Sequence, residues 1–344
     1  MNRFLKEAKF YKSKNDEVIC ENCERKCKLK KGQIGFCKTR KNINGKIYTL
    51  CYGDISSISL NPIEKKPFYH FYPGTYAMTV GSWGCNFLCP WCQNWEISKF
   101  PPKNEYFISP QEFIDICLKY KADGTSISFN EPTLLFEWSE EVFKIAKREK
   151  LYNTYVSNGY MTEKVLYSLI ESGLDAINID LKGDKNVYEK YCGADYEKVF
   201  RNIKISSKNI HTEIVSLIIT GVNDKINIFE DIAKRILDEI GDNIPWHFTR
   251  YFPAYKFKNP ETDIRIIEEI IEKVKELGIK YVYIGNVPFH KYNNTYCPNC
   301  KNLLIKRGIM EVLENKLKDK KCPHCLFEIN IFVKLSLFNT GESL

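Results

Sequence analysis

Between residues 77 and 284 two hydrophobic rhythms take turns along the chain. Short apolar runs occur at 77–81, 125–129, 153–157, 176–181, 212–219, 246–250 and 281–284, and each reads as a buried strand. Between them lie longer stretches whose apolar residues recur every three or four positions, as in helices packed by one face. These helices cover 109–120, 137–150, 162–171, 196–207, 227–240 and 262–277. The first opens on Ser109-Pro110-Gln111-Glu112, a capping box with proline at the first helical position. Gly173 stops the third. Repeated strand–helix units predict an α/β fold with a parallel sheet and right-handed crossovers. About six such units with one extra strand fit an incomplete TIM-like (β/α)6 barrel.

The flanks read differently, and three regions are expected: 1–75, 76–287 and 288–344. Residues 1–19 form a polar, partly helical lead-in. Short strands follow at Ile47–Leu50 and Ile55–Ile58, and the prolines and charges of 61–67 make a loop leading to Tyr69-His70-Phe71. That loop is either a lid whose Lys65, Lys66 and His70 face substrate or a rigid surface loop whose aromatics pack on the barrel.

Composition narrows the class. The 344 residues are 44% hydrophobic and 27% charged, as in ordinary globular proteins with a large domain and small attachments. No run approaches the roughly 18 apolar residues of a membrane span, and the first residues are too polar for a signal peptide, so a cytoplasmic protein is expected. The net charge of +8 adds little, because lysines scattered over solvated helices give the same total. Cysteine changes the picture. There are 14, and in a cytosolic chain they point to metal rather than disulfides.

Eleven of them fall into three local groups. Cys85, Cys89 and Cys92 lie on one tight loop with the spacing C-x3-C-x2-C, just after the first strand of the series. Three thiolates so close can each hold one iron of a [4Fe–4S] cluster, leaving the fourth iron open to the amine and carboxylate of S-adenosylmethionine. The blander alternatives are a zinc knuckle short of a ligand or three buried thiols. Trp91, between the last two cysteines, is flat enough to pack beside an adenine. Cys20, Cys23, Cys27 and Cys37 can close a tetrahedral structural zinc site, with an auxiliary iron–sulfur cluster as the alternative. Cys297-Pro-Asn-Cys300 and Cys322-Pro-His-Cys325 are the paired knuckles of a rubredoxin-like zinc ribbon, with iron as the lesser choice. No aromatic-basic run supports nucleic-acid binding. Cys51 and Cys117 read as core residues, and Cys192 as structural though near the pocket.

With its flanks, NPIEKKPFYHFYPG…GCNFLCPWCQNWEIS, the cysteine loop resembles the radical S-adenosylmethionine superfamily and, within it, the AmmeMemoRadiSam-type enzymes related to the glycyl-radical-enzyme activases. The resemblance runs from about Cys20 to Cys325. It implies a partial barrel and reductive cleavage of S-adenosylmethionine to a 5′-deoxyadenosyl radical that abstracts hydrogen from substrate. It implies too an external one-electron donor of the ferredoxin or flavodoxin kind, and a glycyl position of a protein or peptide as substrate or Memo-like pathway partners. Modification of RNA or of a small metabolite is the second enzymatic reading. A non-enzymatic iron–sulfur electron carrier or zinc-ribbon binding protein is the third.

The resemblance also assigns residues at successive strand ends. Glu131, in Asn130-Glu131-Pro132-Thr133, takes the place of a carboxylate that receives the amino group of S-adenosylmethionine. Asn130 stands where glycine is common, so the backbone approach differs. Glu131 as a plain helix-terminus acid is the alternative. Ser157-Asn158-Gly159 matches a turn that contacts the methionine part or ribose. Asp180 and Lys182 share one face of their strand and are assigned to the ribose hydroxyls and carboxylate, or else pair with each other. Residues 220–224 hold the place of an adenine-contacting segment, and Thr249, Arg250 and His247 close the series.

Overall fold

The computed structural model describes residues 3–14, 17–102 and 106–333. The lead-in is β-structure, not helix. Strands β1 (Lys6–Glu7), β2 (Tyr11–Lys14), β3 (Glu17–Cys20), β4 (Lys28–Lys30), β5 (Arg40–Ile43) and β6 (Lys46–Thr49) form two small antiparallel sheets, ordered β1-β6-β5 and β2-β3-β4. The reason is local: Glu17–Cys20 alternates half-buried and buried positions, and Val18 packs with Ala8, Leu29 and Ile47 in a small core. A helix would have scattered these residues over several faces.

The main sheet has eight strands: β7 (Ser57–Pro62), β8 (Tyr76–Gly81), β9 (Gly124–Ile127), β10 (Tyr152–Ser157), β11 (Ala176–Asp180), β12 (His211–Ile218), β13 (Trp246–Arg250) and β14 (Val282–Gly285). They lie side by side in sequence order. β8 to β14 are parallel, and β7 pairs antiparallel with β8 at the edge. The sheet therefore begins at residue 57, inside the region expected to precede it.

Two short helices, α1 (Trp95–Lys99) and α5 (Lys185–Val187), sit in loops after β8 and β11. The crossovers are α2 (Pro110–Lys119), α3 (Phe136–Arg148), α4 (Glu163–Glu171), α6 (Tyr196–Asn209), α7 (Ile226–Glu239) and α8 (Ile264–Glu276). Because each crossover steps the same way along the sheet, a fixed hand puts all six helices on one face. Their apolar stripes make the main core, as with Ile267, Ile270, Ile271 and Val274 of α8. The Ser109 box caps α2 as the sequence suggests, and Cys117 is fully buried on its inner side. Among the described residues no ladder joins β14 to β7, so the sheet is an open arc.

The other face is concave and carries polar side chains, including Asn178 and Asp180 of β11, Glu213 of β12 and His247 of β13. Its lower half is filled by residues 63–72, which leave β7 at the N-terminal end of the parallel strands. Pro67 O accepts from Asn178 Nδ2 at 2.7 Å. The N–H groups of Tyr69 and His70 donate to Glu213 at 3.0 and 2.8 Å. Phe68, His70 and Phe71 are buried. The segment is thus an internal plug rather than a lid or a surface loop, because its aromatics have the concave face to fill.

The C-terminal strands β15 (Thr295–Tyr296), β16 (Leu303–Arg307) and β17 (Val312–Asn315) dock beneath this plug. Arg307 donates to Tyr69 O at 2.8 Å, with its guanidinium 4.0 Å from the Tyr69 ring centroid. Residues 334–344 of the expected third region lie outside the described residues. No helix among the described residues is long and apolar enough to cross a membrane.

Candidate active site and metal centres

The C-terminal ends of the parallel strands converge on one cavity of about 440 Å³. The loop after β8 contributes Cys85, Cys89, Trp91 and Cys92. Asn130 and Glu131 come from β9, Ser157 and Asn158 from β10, Asp180 and Lys182 from β11, and Thr249 from β13. Of the residues assigned to the cofactor, Trp91, Asn130, Glu131, Ser157, Asn158, Asp180 and Lys182 line it, whereas residues 220–224, His247 and Arg250 do not. The order follows from the sheet: side chains at equivalent heights on neighbouring parallel strands must meet on the concave face.

The cysteine loop is held from several sides. Asn130 accepts from Ser82 N at 2.9 Å and donates to Gly84 O at 3.1 Å, so it braces the loop rather than standing free for a ligand. Gly84 has φ 83°, and a Cβ there would stand 2.8 Å from both Cys37 O and Thr39 Cγ2. Lys99 Nζ donates to Phe87 O at 2.6 Å, and Arg25 Nε to Asn86 O at 2.8 Å. Asn158 Nδ2 donates to Asn86 Oδ1 at 2.7 Å and lies 3.9 Å from Cys85 Sγ. Trp91 is buried against Tyr191 and Phe257 while lining the cavity.

The three thiols suit a polynuclear centre. All are free, and among the described residues they do not form a set of sulfurs mutually within 4.8 Å, as the four C-terminal cysteines do. Sulfurs serving one ion must crowd together, whereas sulfurs serving separate irons stand apart. Burial pushes the Cys85 thiol up to about 12 and raises that of Cys92. Cys89 is drawn down to about 6 by its hydrogen bond with Cys192, the two sulfurs 3.7 Å apart, against the effect of its burial; Lys182 also lowers it. The set fits a cationic iron cluster that would turn all three into thiolates.

Glu131 is already engaged. Oε1 accepts from Thr133 N, Thr133 Oγ1 and Ser157 Oγ at 3.1, 2.5 and 2.8 Å, and Oε2 accepts from Asn158 N at 2.8 Å. It caps a 3-10 turn at 132–135 and ties β9 to β10, and only Oε2 keeps room for another donor. Asp180 and Lys182 pair at 2.8 Å. Three of the weaker assignments fall elsewhere. Asn223 is buried, bracing Ile219 N, Lys182 O and Leu217 O. Arg250 pairs with Glu261, and His247 with Glu213 in the floor.

The three residues offered as substrate-facing in the 61–71 segment divide. Lys65 and Lys66 reach the cavity from the plug, whereas His70 is buried beneath it and bonds Tyr283 Oη and Asn330 O. Lys66 is buried, 4.2 Å from the Phe129 ring centroid, and burial followed by the charge of Lys65 draws its amine down to about 7. Lys99 also lines the cavity, and nothing in the sequence singles it out.

The two four-cysteine groups differ. Cys297 Sγ lies 3.5 Å from Cys325 Sγ and Cys300 Sγ 3.6 Å from Cys322 Sγ, and all four lie within 4.8 Å of one another. Cys20, Cys23, Cys27 and Cys37 line a single small cavity but do not draw together in this way.

Residues 81–236 match the family described as the radical SAM superfamily. An uncharacterized protein of Methanocaldococcus jannaschii is 40% identical over 334 residues, 95% of this chain and 99% of the relative. A putative glycyl-radical enzyme activating enzyme of the same organism is 28% identical, over 65% of this chain and 93% of the relative. Among solved structures, Streptococcus suis SuiB bound to S-adenosylmethionine aligns with TM-score 0.49 and 13% identity, over 63% of this chain and 49% of SuiB. The loop that carries Cys85, Cys89 and Cys92 thus lies within the matched region, and residues 81–236 form a radical SAM superfamily domain.

Proposed function

We propose that the cavity above β8–β13 is the site at which S-adenosylmethionine is reductively cleaved and a substrate hydrogen is abstracted. The observation that carries this is the opening of the Cys85–Cys92 loop into a cavity ringed by the ends of successive strands. A [4Fe–4S] cluster held by Cys85, Cys89 and Cys92 would supply the one-electron reduction that splits the sulfonium into methionine and a 5′-deoxyadenosyl radical able to take a hydrogen atom from substrate. The chain's own residues position and enclose. Cys85, Cys89 and Cys92 hold three irons. Glu131 Oε2 accepts from the amino group, Asn158 and Ser157 fix the methionine part, and Asp180 and Lys182 turn toward the ribose and carboxylate. Trp91 walls the adenine side, and the plug seals the cavity from below, which keeps water from quenching a radical.

The substrate reading is activase-like: a glycyl position of a protein or peptide. Likeness to a putative glycyl-radical enzyme activating enzyme supports it, as does the AmmeMemoRadiSam-type string around the cysteines. Among the described residues Lys66 has no carboxylate partner, and with Lys65 it favours an anionic group near the reacting position. A ferredoxin- or flavodoxin-like protein would bring the electron. The four C-terminal cysteines fit structural zinc, with sulfurs spaced for one ion. Incubation with candidate peptides deuterated at glycine tests the substrate. Deuterium in 5′-deoxyadenosine supports the reading. Transfer only from RNA or from a small metabolite would replace it.

A further inference from the structure

The three sulfur sites of this chain sort by spacing, and the N-terminal one falls on an unexpected side. At a single zinc ion, metal–sulfur bonds of about 2.3 Å hold four sulfurs some 3.8 Å apart. The C-terminal group has that spacing. Cys20, Cys23, Cys27 and Cys37 do not; like Cys85, Cys89 and Cys92, they form no set mutually within 4.8 Å among the described residues. All four line one largely enclosed cavity with room for a water-sized sphere. Four sulfurs closed around zinc would leave no such room.

The cavity wall has donors short of acceptors. Arg40 is buried to 1% exposure. It spends one terminal nitrogen on Glu137 at 2.6 Å and the other on Leu134 O at 3.1 Å, yet its Nε has no partner. Asn86 is fully buried, and its Nδ2 has nothing to bond but the Cys23 thiol. Unpaired buried donors are uncommon in folded proteins. The sulfides and thiolates of an iron–sulfur cluster accept such donors, and hydrogen bonds to sulfur set its potential.

Position supplies the third argument. Asn86 lines this cavity, and its neighbour Cys85 lines the active-site cavity. Cys37 O packs against Gly84, and Arg25 reaches from the Cys23–Cys27 turn to Asn86 O and Cys192 O at 2.8 and 3.4 Å. The two sites lie back to back.

We propose that Cys20, Cys23, Cys27 and Cys37 bind a second [4Fe–4S] cluster, not zinc, placed to pass single electrons to the cluster at Cys85, Cys89 and Cys92. An external low-potential one-electron carrier is oxidised as the second cluster is reduced. That electron then moves inward, with no bond made or broken. The second site stands on its own geometry; only the relay rests on the function proposed above.

Metal analysis and Mössbauer spectroscopy of the anaerobically reconstituted, unmodified protein test it. The expected content is about eight irons, from two [4Fe–4S] clusters, with about one zinc. A Cys85/Cys89/Cys92 triple-alanine protein is expected to keep about four irons and, reduced with dithionite, an S = 1/2 electron paramagnetic resonance signal. Cys20→Ala with Cys37→Ala should remove that set alone. About four irons with two zinc ions in the unmodified protein, or no iron in a folded triple variant, overturns the proposal. Eight irons without any 5′-deoxyadenosine formation would instead sink the proposed function and leave the second cluster standing.

Discussion

In the function proposed above, Glu131 serves two ends with one carboxylate. Four donors from its own chain fix it between β9 and β10, and it lines the cavity with one acceptor position on Oε2 unused. Glu131→Gln replaces an oxygen with an amide that cannot accept, so the cofactor amine loses a charge-assisted bond worth about 1.5–3 kcal/mol. Affinity for S-adenosylmethionine is expected to fall about tenfold to a hundredfold with the iron content retained. Calorimetry showing unchanged affinity would leave Glu131 a cap alone. Glu213 makes a second test. Burial works to raise its carboxyl, but hydrogen bonds from His211 and His247, with their charges, hold it below the usual carboxylate range. A depressed acid contributes stability that is present above the unfolded value of about 4.3 and lost as pH falls through the folded one. Glu213→Gln should therefore cost about 3 kcal/mol at neutral pH, with the gap unchanged down to about pH 5. Denaturation curves in which the gap already closes near pH 6 would contradict that assignment. Strand position is enough to bring Asn130, Ser157 and Asp180 to the cavity, but not to show that Asn130 spends its amide on the cysteine loop. Such partners lie 46 and 48 residues away in sequence, so no local pattern marks them.

At the scale of elements, alternating rhythms determine most of what forms, and the crossover helices start and stop within a few residues of their apolar patterns. The parts not legible are those whose environment comes from elsewhere. The plug at 63–72 looks like a surface loop because its prolines and charges are local, whereas its burial depends on a concave face built from β11 to β14. The lead-in looks helical because its strands are short and polar; β1 pairs with a distant strand, Lys6 against Thr49, and β2 with the neighbouring β3. The cysteine loop itself is an element under steric control. Gly84→Ala puts a side chain at φ 83° and against Cys37 O. Left-handed backbone alone costs roughly 1–2 kcal/mol. The expected result is a lower melting temperature together with reduced cluster loading, read by visible absorbance. Full loading with an unchanged melting temperature would mean the loop is free to shift.

For the whole molecule, chemistry and stability are housed apart. The cavity opens at the C-terminal ends of the strands, and the tight four-cysteine group lies in a module that docks against the plug, only Met310 of its β16–β17 turn reaching the cavity among its described residues. A closed four-thiolate site has no open position for substrate, and its binding energy is folding energy. Cys297→Ala is therefore expected to lower the melting temperature and to speed amide exchange beyond residue 286, while cleavage of S-adenosylmethionine largely persists. Loss of cleavage without loss of stability would assign that metal a part in the reaction. The central claim is that the Cys85–Cys92 loop is the seat of that cleavage. Its most direct test is anaerobic incubation of the reconstituted protein with dithionite and S-adenosylmethionine, followed by chromatography for 5′-deoxyadenosine and methionine. The unmodified protein should form both in equal amounts and Cys89→Ala neither. A cluster-loaded protein that yields no 5′-deoxyadenosine, or a Cys89→Ala protein that yields as much as the parent, would contradict it.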